Sequence, residues 1–387
     1  MIETRTPDPT RLAHGIRAQA RALGFEDVGI CGLRPSDHAA LYRAWIRNGY
    51  HGEMRYLARD DAVAARLDPH TRWPELRSAV VVAHHYSHPG SHAHPEPASG
   101  SAAEDEGPGP ATLGDPATGV IARYARGRDY HKVVKKKLLA LLRWIEEETG
   151  RELPTARAYV DTGPVLEREL GRRAGLGWLG RNTMLIDPRR GSYFFLGELL
   201  LPFDLERDEP FEADRCGSCT ACLPACPTGA LLGRNEDGAP VMDATRCISY
   251  LTIENSGPIP EELRPLMGNR VFGCDICQEV CPWNGDKLLA VSAEADYLPR
   301  RSREFEVRSA SAPSAPPRAS SRRSSSRSGD ASDSRRTSEA SGAPQGSVNR
   351  LPGTEAPSLI ELLRTALDPE AWDAFTRGSA IRRAGPG

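Results

Sequence analysis

Apolar side chains recur at helical spacing near the start of the chain, where Leu12, Ile16 and Leu23 fall on one side of the segment 11–24. This pattern predicts a helix that packs one face on a core, and Gly24 is expected to end it. The segments 25–33 and 78–86 hold short apolar runs instead, which is typical of buried strands. The first part of the chain is therefore expected to combine helices with strands.

A longer amphipathic helix is predicted in the second half of the segment 120–150. Its apolar positions recur every three or four residues, and its lysines fall on the opposite side. The inward set is Val134, Leu138, Leu141, Leu142 and Ile145, and the outward set is Lys132, Lys135 and Lys136. Residues 156–201 then predict a strand, a turn, a helix, a glycine-rich loop and two further strands.

Composition separates the parts of the chain that are expected to fold from those that are not. Hydrophobic residues make up 39% of the 387 residues, below the ~45–50% of an average globular chain. The segment 88–118 is rich in Pro, Gly and Ser and predicts a flexible insertion. The segment 301–350 holds fifteen Ser and ten Arg against five acidic residues, and is expected to be disordered. The segment 351–387 regains helical periodicity and predicts a short helical end.

Charge and hydropathy limit the classes of partner. A formal net charge of −2 excludes a uniformly basic coat for nucleic acid, but it does not exclude a local basic face. No run approaches the ~18 apolar residues that span a bilayer, and the first residues lack the apolar core of a secretory signal. We therefore expect a cytoplasmic protein with no membrane partner.

Cysteine is concentrated in one region. Eight of the nine cysteines lie between Cys216 and Cys281, and only Cys31 stands apart. Disulfides are not expected in a reducing cytosol, so a metal site explains the concentration better. Cys31 lies in an apolar run and is expected to be a small buried side chain.

The cysteine spacing is specific. The first four follow the pattern C-x2-C-x2-C-x3-C-P, which is the bacterial ferredoxin spacing for a [4Fe-4S] cluster. In two-cluster ferredoxins the fourth cysteine of such a run binds the other cluster. One cluster is therefore expected on Cys216, Cys219, Cys222 and Cys281, and a second on Cys226, Cys247, Cys274 and Cys277. A pair of zinc sites is the alternative, because zinc needs only paired C-x2-C spacing.

Asp161 is the acidic residue of most interest, because it ends an apolar strand and opens the turn 161–164. It can be the N-cap of the following helix. It can also be a general acid, whose pKa partial burial would raise enough to hold a proton near neutrality. His131 is interpreted as a helix-start residue. No G-x-G-x-x-G motif follows a strand, so a dinucleotide site has no support.

The glycine-rich loop 175–182 lies among several arginines. Its backbone is expected to approach a flat or large ligand closely, although it can also be a tight turn. The arginines can form a solvated helix face or a surface for a phosphate backbone. They are Arg168, Arg172, Arg173, Arg181, Arg189 and Arg190.

Several long motifs together resemble the epoxyqueuosine reductases of tRNA modification. They are ARYARGRDYH, VDTGPVLERELGRRAGLGWLGRNTMLI, GSYFFLGELL, CGSCTACLPACPTGAL, RCISYLTIE and GNRVFGCDICQEVCPWN. The resemblance covers residues 10–290 and the terminal DPEAWDAFTRGSAIRRA. It implies a bound cobalamin, two iron–sulfur clusters, an external electron donor, and reduction of epoxyqueuosine to queuosine at the wobble position of tRNA.

The resemblance also implies roles for individual residues. Asp161 aligns with the proton donor of the family, and the segment 254–257 with a region that touches tRNA. The implied cobalamin contacts are Arg66, Tyr124, Asp161, Leu185, Leu196, Ser249 and Asp275. The expected fold class is α+β, with a cobalamin-binding α/β domain at 1–203 and a ferredoxin-like two-cluster domain at 204–290, in a monomer.

Two departures from the family pattern leave alternatives open. Many relatives continue into a helical-repeat tail, and the family does not need the Ser/Arg-rich segment 301–350. That segment can replace some of the tRNA contact, or it can be a passive linker. We favour the passive linker. Two other functions also stay open: a corrinoid reductase of a small molecule, similar to reductive dehalogenases, and a non-catalytic carrier of electrons.

Overall fold

The computed structural model describes residues 8–88, 119–285 and 291–298. The segments 301–350 and 351–387 lie outside the described residues, as does 89–118 of the predicted insertion. His88, the first residue of that insertion, is buried. The predicted domain boundaries at 203 and 290 stay predictions.

The strands follow one another through the whole described part of the chain. They are β1 (Asp27–Gly32), β2 (Ser78–His85), β3 (Val120–Ile121), β4 (Arg157–Tyr159), β5 (Trp178–Leu179), β6 (Leu185–Ile186), β7 (Phe194–Leu201), β8 (Leu231–Arg234), β9 (Pro240–Met242) and β10 (Arg270–Phe272).

The α-helices alternate with these strands. They are α1 (Pro9–Ala22), α2 (Ala39–Arg47), α3 (Arg55–Ala58), α4 (Asp60–Leu67), α5 (Tyr130–Thr149), α6 (Glu167–Arg173), α7 (Cys222–Ala225), α8 (Ile248–Ile253) and α9 (Ile276–Glu279). Short 3₁₀ turns lie at Pro69–Thr71, Arg123–Ala125, Ala244–Arg246, Pro265–Met267, Pro282–Asn284 and Ala295–Tyr297.

Four strands form the central sheet in the order β1-β2-β7-β4, and all three pairings are antiparallel. Alternate residues of a strand point to opposite faces, so β7 contributes to two cores. Leu199 and Leu201 of β7 face a core that includes α1 and α5, whereas Phe194 and Leu200 face a second core that includes α6. The predicted α+β class is confirmed, with an antiparallel sheet between two layers.

The two long helices begin and end where local chemistry dictates. The side chain of Asp8 accepts a hydrogen bond from the Thr10 amide at the start of α1, and Asp129 does the same for His131 at the start of α5. Gly150 ends α5 with a φ of +61°, a conformation that glycine adopts without strain. A Cβ built on Gly197 would lie 2.8 Å from Val134 Cγ1, so a glycine in β7 lets α5 pack closely on the sheet.

The cysteine-rich part packs directly on the α/β part. The Gln278 side-chain amide donates to the Ser192 carbonyl at 3.0 Å, and the Asn182 amide donates to the Cys277 carbonyl at 3.1 Å. β10 also pairs in parallel with β3. Among the described residues, no helix is both long and apolar enough to cross a membrane.

Candidate active site and iron–sulfur centres

Asp161 lies just after β4 in a strained turn. Its φ is +61°, which is rare for a residue other than glycine, and the Thr162 amide donates to the Val160 carbonyl at 2.7 Å. These features define a γ-turn of the strained kind. The helix α6 begins six residues later at Glu167, so the interpretation of Asp161 as its N-cap is wrong. Its side chain is 62% exposed and available to a ligand.

Two side chains from the start of α5 contact the Asp161 carboxylate, and the N-cap residue of that helix contacts one of them. The Tyr130 hydroxyl donates to Asp161 Oδ2 at 3.0 Å, and His131 Nε2 lies 3.4 Å from the same oxygen. His131 Nδ1 is 2.8 Å from Oδ1 of buried Asp129. Tyr130 stacks on Phe195 with a centroid distance of 4.1 Å. The array Asp129–His131–Asp161 is therefore continuous, and aromatic packing holds it.

The pKa of Asp161 is shifted in the direction opposite to the one expected from the sequence. Desolvation by the surrounding protein raises its pKa, but the hydrogen bond and positive charge of His131, the Tyr130 hydroxyl and Arg168 lower it further. The net result is an Asp161 pKa below its usual value. The expected net rise from partial burial is therefore wrong for this state, because the partners on α5 outweigh burial.

Sequence reasoning missed two of these partners. Tyr130 was not singled out, and His131 was interpreted only as a helix-start residue. A usable signal was present, because Asp129, Tyr130 and His131 are three consecutive polar or titratable residues directly before an amphipathic helix. Their role depends on β4, which lies about thirty residues away in the chain.

Some of the predicted cobalamin contacts lie near the Asp161 carboxylate, and others lie further from it. Burial first, and then the charges of Asp161 and Asp275, raise the pKa of Tyr124, so Tyr124 lies near both carboxylates. Arg66 lies near Tyr56, since its charge lowers the pKa of that tyrosine while burial and the charges of Glu254 and Asp161 raise it. The structure thus brings Arg66, Tyr124, Asp161 and Asp275 into one neighbourhood.

The remaining predicted contacts flank that neighbourhood. Leu196 is half-buried beside Leu185, since a Cβ on Gly171 would touch both side chains. Ser249 is half-buried on α8, and its amide donates to the Cys247 sulfur. Leu185 and Asp275 are 2% and 7% exposed, so in this state they offer almost no surface to a ligand.

The cysteines form two sets. Burial, and then the charges of Cys216, Cys281 and Cys219, raise the pKa of Cys222 to about 11. Burial, and then the charges of Cys274, Cys247 and Cys226, raise the pKa of Cys277 well above its usual value. Four thiolates so close together repel one another, and bound iron would relieve that repulsion. Cys31 is buried with its pKa raised to about 12, as expected for a packing residue.

Most of the arginines near the glycine-rich loop are engaged within the chain. Arg173 is buried and pairs with Glu169 at 2.6 Å, and Arg172 pairs with Asp37 at 2.8 Å. Arg189 and Arg190 pair with Asp27, and Arg181 donates to the Gly217 carbonyl. Arg168 donates to the Thr183 carbonyl at 2.6 Å. Internal ion pairing and hydrogen bonding thus account for much of a cluster that sequence alone assigned to a solvated or phosphate-binding face.

The glycines of that loop serve internal packing. A Cβ on Gly177 would collide with the Ile186 carbonyl, and one on Gly180 with the Ile186 side chain. Gly175 has a φ of +78° beside the Glu209 carbonyl. The expected close approach of this backbone to a large ligand therefore has no support at these three positions.

Known proteins match both parts of the chain. A family model described as "Epoxyqueuosine reductase QueG, DUF1730" matches residues 66–162, and a model of a 4Fe-4S double cluster binding domain matches residues 215–284. The epoxyqueuosine reductase of Aliivibrio fischeri is 45% identical over 291 residues, which are 75% of this chain and 71% of that protein. That of Pseudomonas aeruginosa is 42% identical over 297 residues, or 76% and 74%.

Solved structures agree. A crystal structure of epoxyqueuosine reductase with an epoxyqueuosine-modified stem loop of tyrosine tRNA aligns with a TM-score of 0.59 and 31% identity, over 75% of this chain and 69% of the other. The Bacillus subtilis enzyme, solved with its catalytic aspartate loop swung out of the active site, aligns with a TM-score of 0.57 and 30% identity over the same shares.

The double-cluster region joined to an α/β part defines an iron–sulfur oxidoreductase. The two relatives named above match about three quarters of the chain at 42–45% identity, and both are epoxyqueuosine reductases. The chain belongs to the epoxyqueuosine reductase family.

Proposed function

We propose that this chain reduces the epoxide of epoxyqueuosine in tRNA to the alkene of queuosine. The observation that carries the proposal is an exposed aspartate, Asp161, in a strained turn. The imidazole of His131 lies beside its carboxylate, and a double-cluster region lies close by. Removal of the epoxide oxygen as water consumes two electrons and two protons. A proton site next to an electron-transfer module provides both.

The chain's own residues supply the proton. Asp161 is the group that can reach a ligand, and His131 lies 3.4 Å behind it. In the resting state Asp161 is ionised, since burial raises its pKa but the hydrogen bond and charge of His131 lower it further. Transfer from His131 to Asp161 and then to the leaving oxygen makes the pair a general acid. Asp129 fixes the ring through its bond to Nδ1.

The residues of this neighbourhood fit a cobalamin. Arg66, Tyr124, Leu196 and Ser249 are half-buried and mix apolar with polar surface, as a large ring edged with amides and carrying a phosphate requires. Within the described part of the chain, Arg66 donates only to the Ala62 carbonyl of its own helix, at 3.4 Å, so its guanidinium has donors left for a phosphate. When bound, the cobalamin supplies low-potential reducing chemistry.

The predicted ligand assignment of the two clusters is part of the proposal. The set with Cys219, the exposed cysteine of the eight, would form the entry cluster for an external electron donor. The other set includes Cys274, whose neighbour Asp275 is close enough to Tyr124 for its charge to raise the pKa of that tyrosine, as the charge of Asp161 also does. Electrons would therefore enter at the first cluster and leave from the second.

The proposed partner is tRNA carrying epoxyqueuosine. A relative was crystallised with such a stem loop, and the expected tRNA contact 254–257 includes exposed Ser256 and Gly257. Glu254 accepts a bond from Tyr56, which connects this segment to the Asp161 site. We propose that the protein acts as a monomer in the cytoplasm, where reducing conditions suit eight cysteine ligands.

The turn at Asp161 is proposed to have a second, open position. The loop of the catalytic aspartate lies outside the active site in the Bacillus subtilis relative. Here the turn stores backbone strain and depends on side-chain contacts from α5 and α6. Such a turn can move without disturbing the sheet.

Anaerobic turnover tests the function. The full chain, loaded with iron, sulfide and cobalamin and given a chemical reductant, is expected to convert epoxyqueuosine-containing tRNA to the queuosine form, measured by mass spectrometry of nucleosides. A visible spectrum with cluster absorption and no corrin band would favour the electron carrier. A corrin band without product would favour a small-molecule reductase.

A further inference from the structure

A carboxylic acid lies where the sheet is most deeply buried. Glu198 occupies the middle of β7, opposite Val81 of β2 and Tyr159 of β4, and is 0% exposed. Within the described part of the chain, no amide, imidazole, guanidinium, ammonium or alcohol group donates a hydrogen bond to either carboxylate oxygen. A lone buried carboxylate would be strongly destabilising, so this group needs a proton or a partner.

The partner is a second carboxyl. Glu167, the first residue of α6, shares a hydrogen bond with Glu198. Two carboxyls can form such a bond only when one of them holds a proton and donates it. The pair therefore carries one proton between two acids.

This pair contacts the Asp161 turn. The Asp161 amide donates to Glu167 Oε1 at 2.6 Å, a short distance that indicates a charge-assisted bond. The bond holds the amide of the residue whose φ is +61°. Glu167 thus contacts the strained residue itself, and Glu198 lies behind Glu167.

We propose that Glu198 and Glu167 form a proton-sharing pair that positions the Asp161 turn. Glu198 is the buried hydrogen-bond donor of the pair, and ionised Glu167 accepts both that bond and the bond from the Asp161 amide. Both are positioning residues, because they act on the reaction through Asp161. The pair itself does not depend on the proposed function, whereas its effect on the reaction rate rests on that function.

The electrostatics agree with this division of roles. Burial, and then the charge of Asp161, raise the pKa of Glu167 to about 7. Burial, and then the charge and hydrogen bond of Glu167, raise the pKa of Glu198 well above its usual value. The same hydrogen bond lowers the pKa of Glu167. Glu198 therefore keeps the proton when Glu167 ionises. The titratable and charged groups that face the pair are Asp161, Arg168, Cys31 and Tyr159.

Three variants separate positioning from general stability. Glu198→Leu removes the donor but suits an apolar core, so it is expected to fold at least as stably as wild type. Glu198→Gln restores a neutral donor, and Glu167→Gln removes the charged acceptor. Glu148→Gln, on the exposed side of α5, is the matched control.

Infrared spectroscopy of the cluster-loaded full chain tests the pair without turnover. At about pH 9, where Glu167 is ionised, wild type and Glu148→Gln are expected to show the band of a protonated carboxylic acid, and Glu198→Gln is expected to lack it. Amide hydrogen exchange in the peptide that contains Asp161 should be about tenfold faster in Glu167→Gln, as expected for loss of a charge-assisted bond. Identical spectra for wild type and Glu198→Gln would overturn the proposal.

Single-turnover kinetics test the consequence. Glu167→Gln and Glu198→Leu should each lose about tenfold in rate with an unchanged KM, and Glu198→Gln should recover the wild-type rate. The rate of wild type should rise with pH near 7 as Glu167 ionises, and this rise should be missing from Glu167→Gln. A wild-type rate and pH profile in Glu198→Leu would refute the positioning role. If wild type itself lacks turnover, the proposed function fails, and the infrared result still decides the pair.

Discussion

Asp161 combines backbone strain with a dense set of contacts. A positive φ at a residue other than glycine costs about 1–3 kcal/mol and persists only when surrounding contacts impose it. Here Tyr130, His131 and Glu167 supply those contacts. Strain of this kind is typical of sites where one side chain must point at a reacting group.

Replacing Asp161 with Asn keeps the size of the side chain and removes its acid. We expect Asp161→Asn to bind both cofactors and to lose about 10²-fold or more in single-turnover rate, because general acid catalysis contributes about that much. Nucleoside mass spectrometry measures the rate, and the visible spectrum measures the cofactors. Asp237→Asn, in the exposed turn between β8 and β9, is the control. Wild-type rates in Asp161→Asn would exclude the proton-donor role.

The buried carboxyl pair predicts how stability changes with pH. The folded pKa of Glu167 is raised to about 7 from 4.5, so its stabilising contribution is complete below pH 4.5 and is lost as the pH rises through 7. Glu198→Leu removes a second acid whose folded pKa lies well above its usual value. The stability that wild type loses through that acid as the pH rises is not lost in the variant, so the free energy of unfolding of Glu198→Leu should exceed that of wild type by a margin that grows between pH 5 and 8. Urea unfolding at several pH values measures this margin, and a margin that shrinks with pH would contradict it.

At the scale of elements, β7 determines the arrangement of the site. Its alternate residues face the α5 core and the α6 core, and Glu198 lies on the α6 side with Leu196 and Leu200. The start of α5 brings Tyr130 and His131 to Asp161, while the start of α6 brings Glu167. The site is therefore assembled from the N-terminal ends of two helices on opposite faces of one sheet.

Packing of α5 on the sheet should be a large part of the stability of this assembly. Leu138 is fully buried in the core, whereas its neighbour Leu139 is 39% exposed. Leu138→Ala is expected to lower the free energy of unfolding by about 2–5 kcal/mol, because it leaves a cavity. Leu139→Ala should change it by about 0.5 kcal/mol or less. Chemical denaturation compares the two, and equal effects would contradict the packing described for α5.

At the scale of the whole molecule, the electron-transfer region is docked on the catalytic region by polar contacts. Ser192 receives bonds from Gln278 and Asn284, and Asn182 reaches the Cys277 carbonyl. Ser192, Gln278, Asn284 and Asn182 are all buried. The contacts are short and internal, so the two regions are expected to hold a fixed distance, as electron transfer requires.

Iron content tests the assignment of the clusters. The full chain should bind about eight iron atoms, four for each cluster. Cys222→Ala should lose about four and keep the absorption of the other cluster, whereas Cys31→Ala, the matched cysteine control, should lose none. Loss of all iron in Cys222→Ala would indicate that the two clusters do not assemble independently, and unchanged iron would contradict the ligand assignment.

Much of the fold followed from local patterns. The periodicity of α1 and α5 predicted their buried faces, with Leu12, Ile16, Leu138 and Ile145 in the core as expected. The spacing of the cysteines predicted a double-cluster region, which the family model confirms. These features could be predicted because the relevant residues lie within a few positions of one another.

The roles of single polar residues were harder to predict. Arg173 was assigned to a solvated or phosphate-binding face and is a buried ion-pair partner instead. Glu198 was not singled out, although a charge inside the apolar run FFLGELLL is a signal for a buried acid. In both cases the partners are far apart in the chain or on another element, and periodicity carries no information about them.

The sequence by itself determined the class of the protein, the cysteine ligand candidates and the position of Asp161 at a strand end, because spacing and local pattern encode these. Only the tertiary structure decided the direction of the Asp161 pKa, the engagement of the arginines and the proton shared by Glu167 and Glu198. Each of these depends on the distance between charges and on the water removed around them. Those quantities exist only after β4, β7, α5 and α6 have packed together.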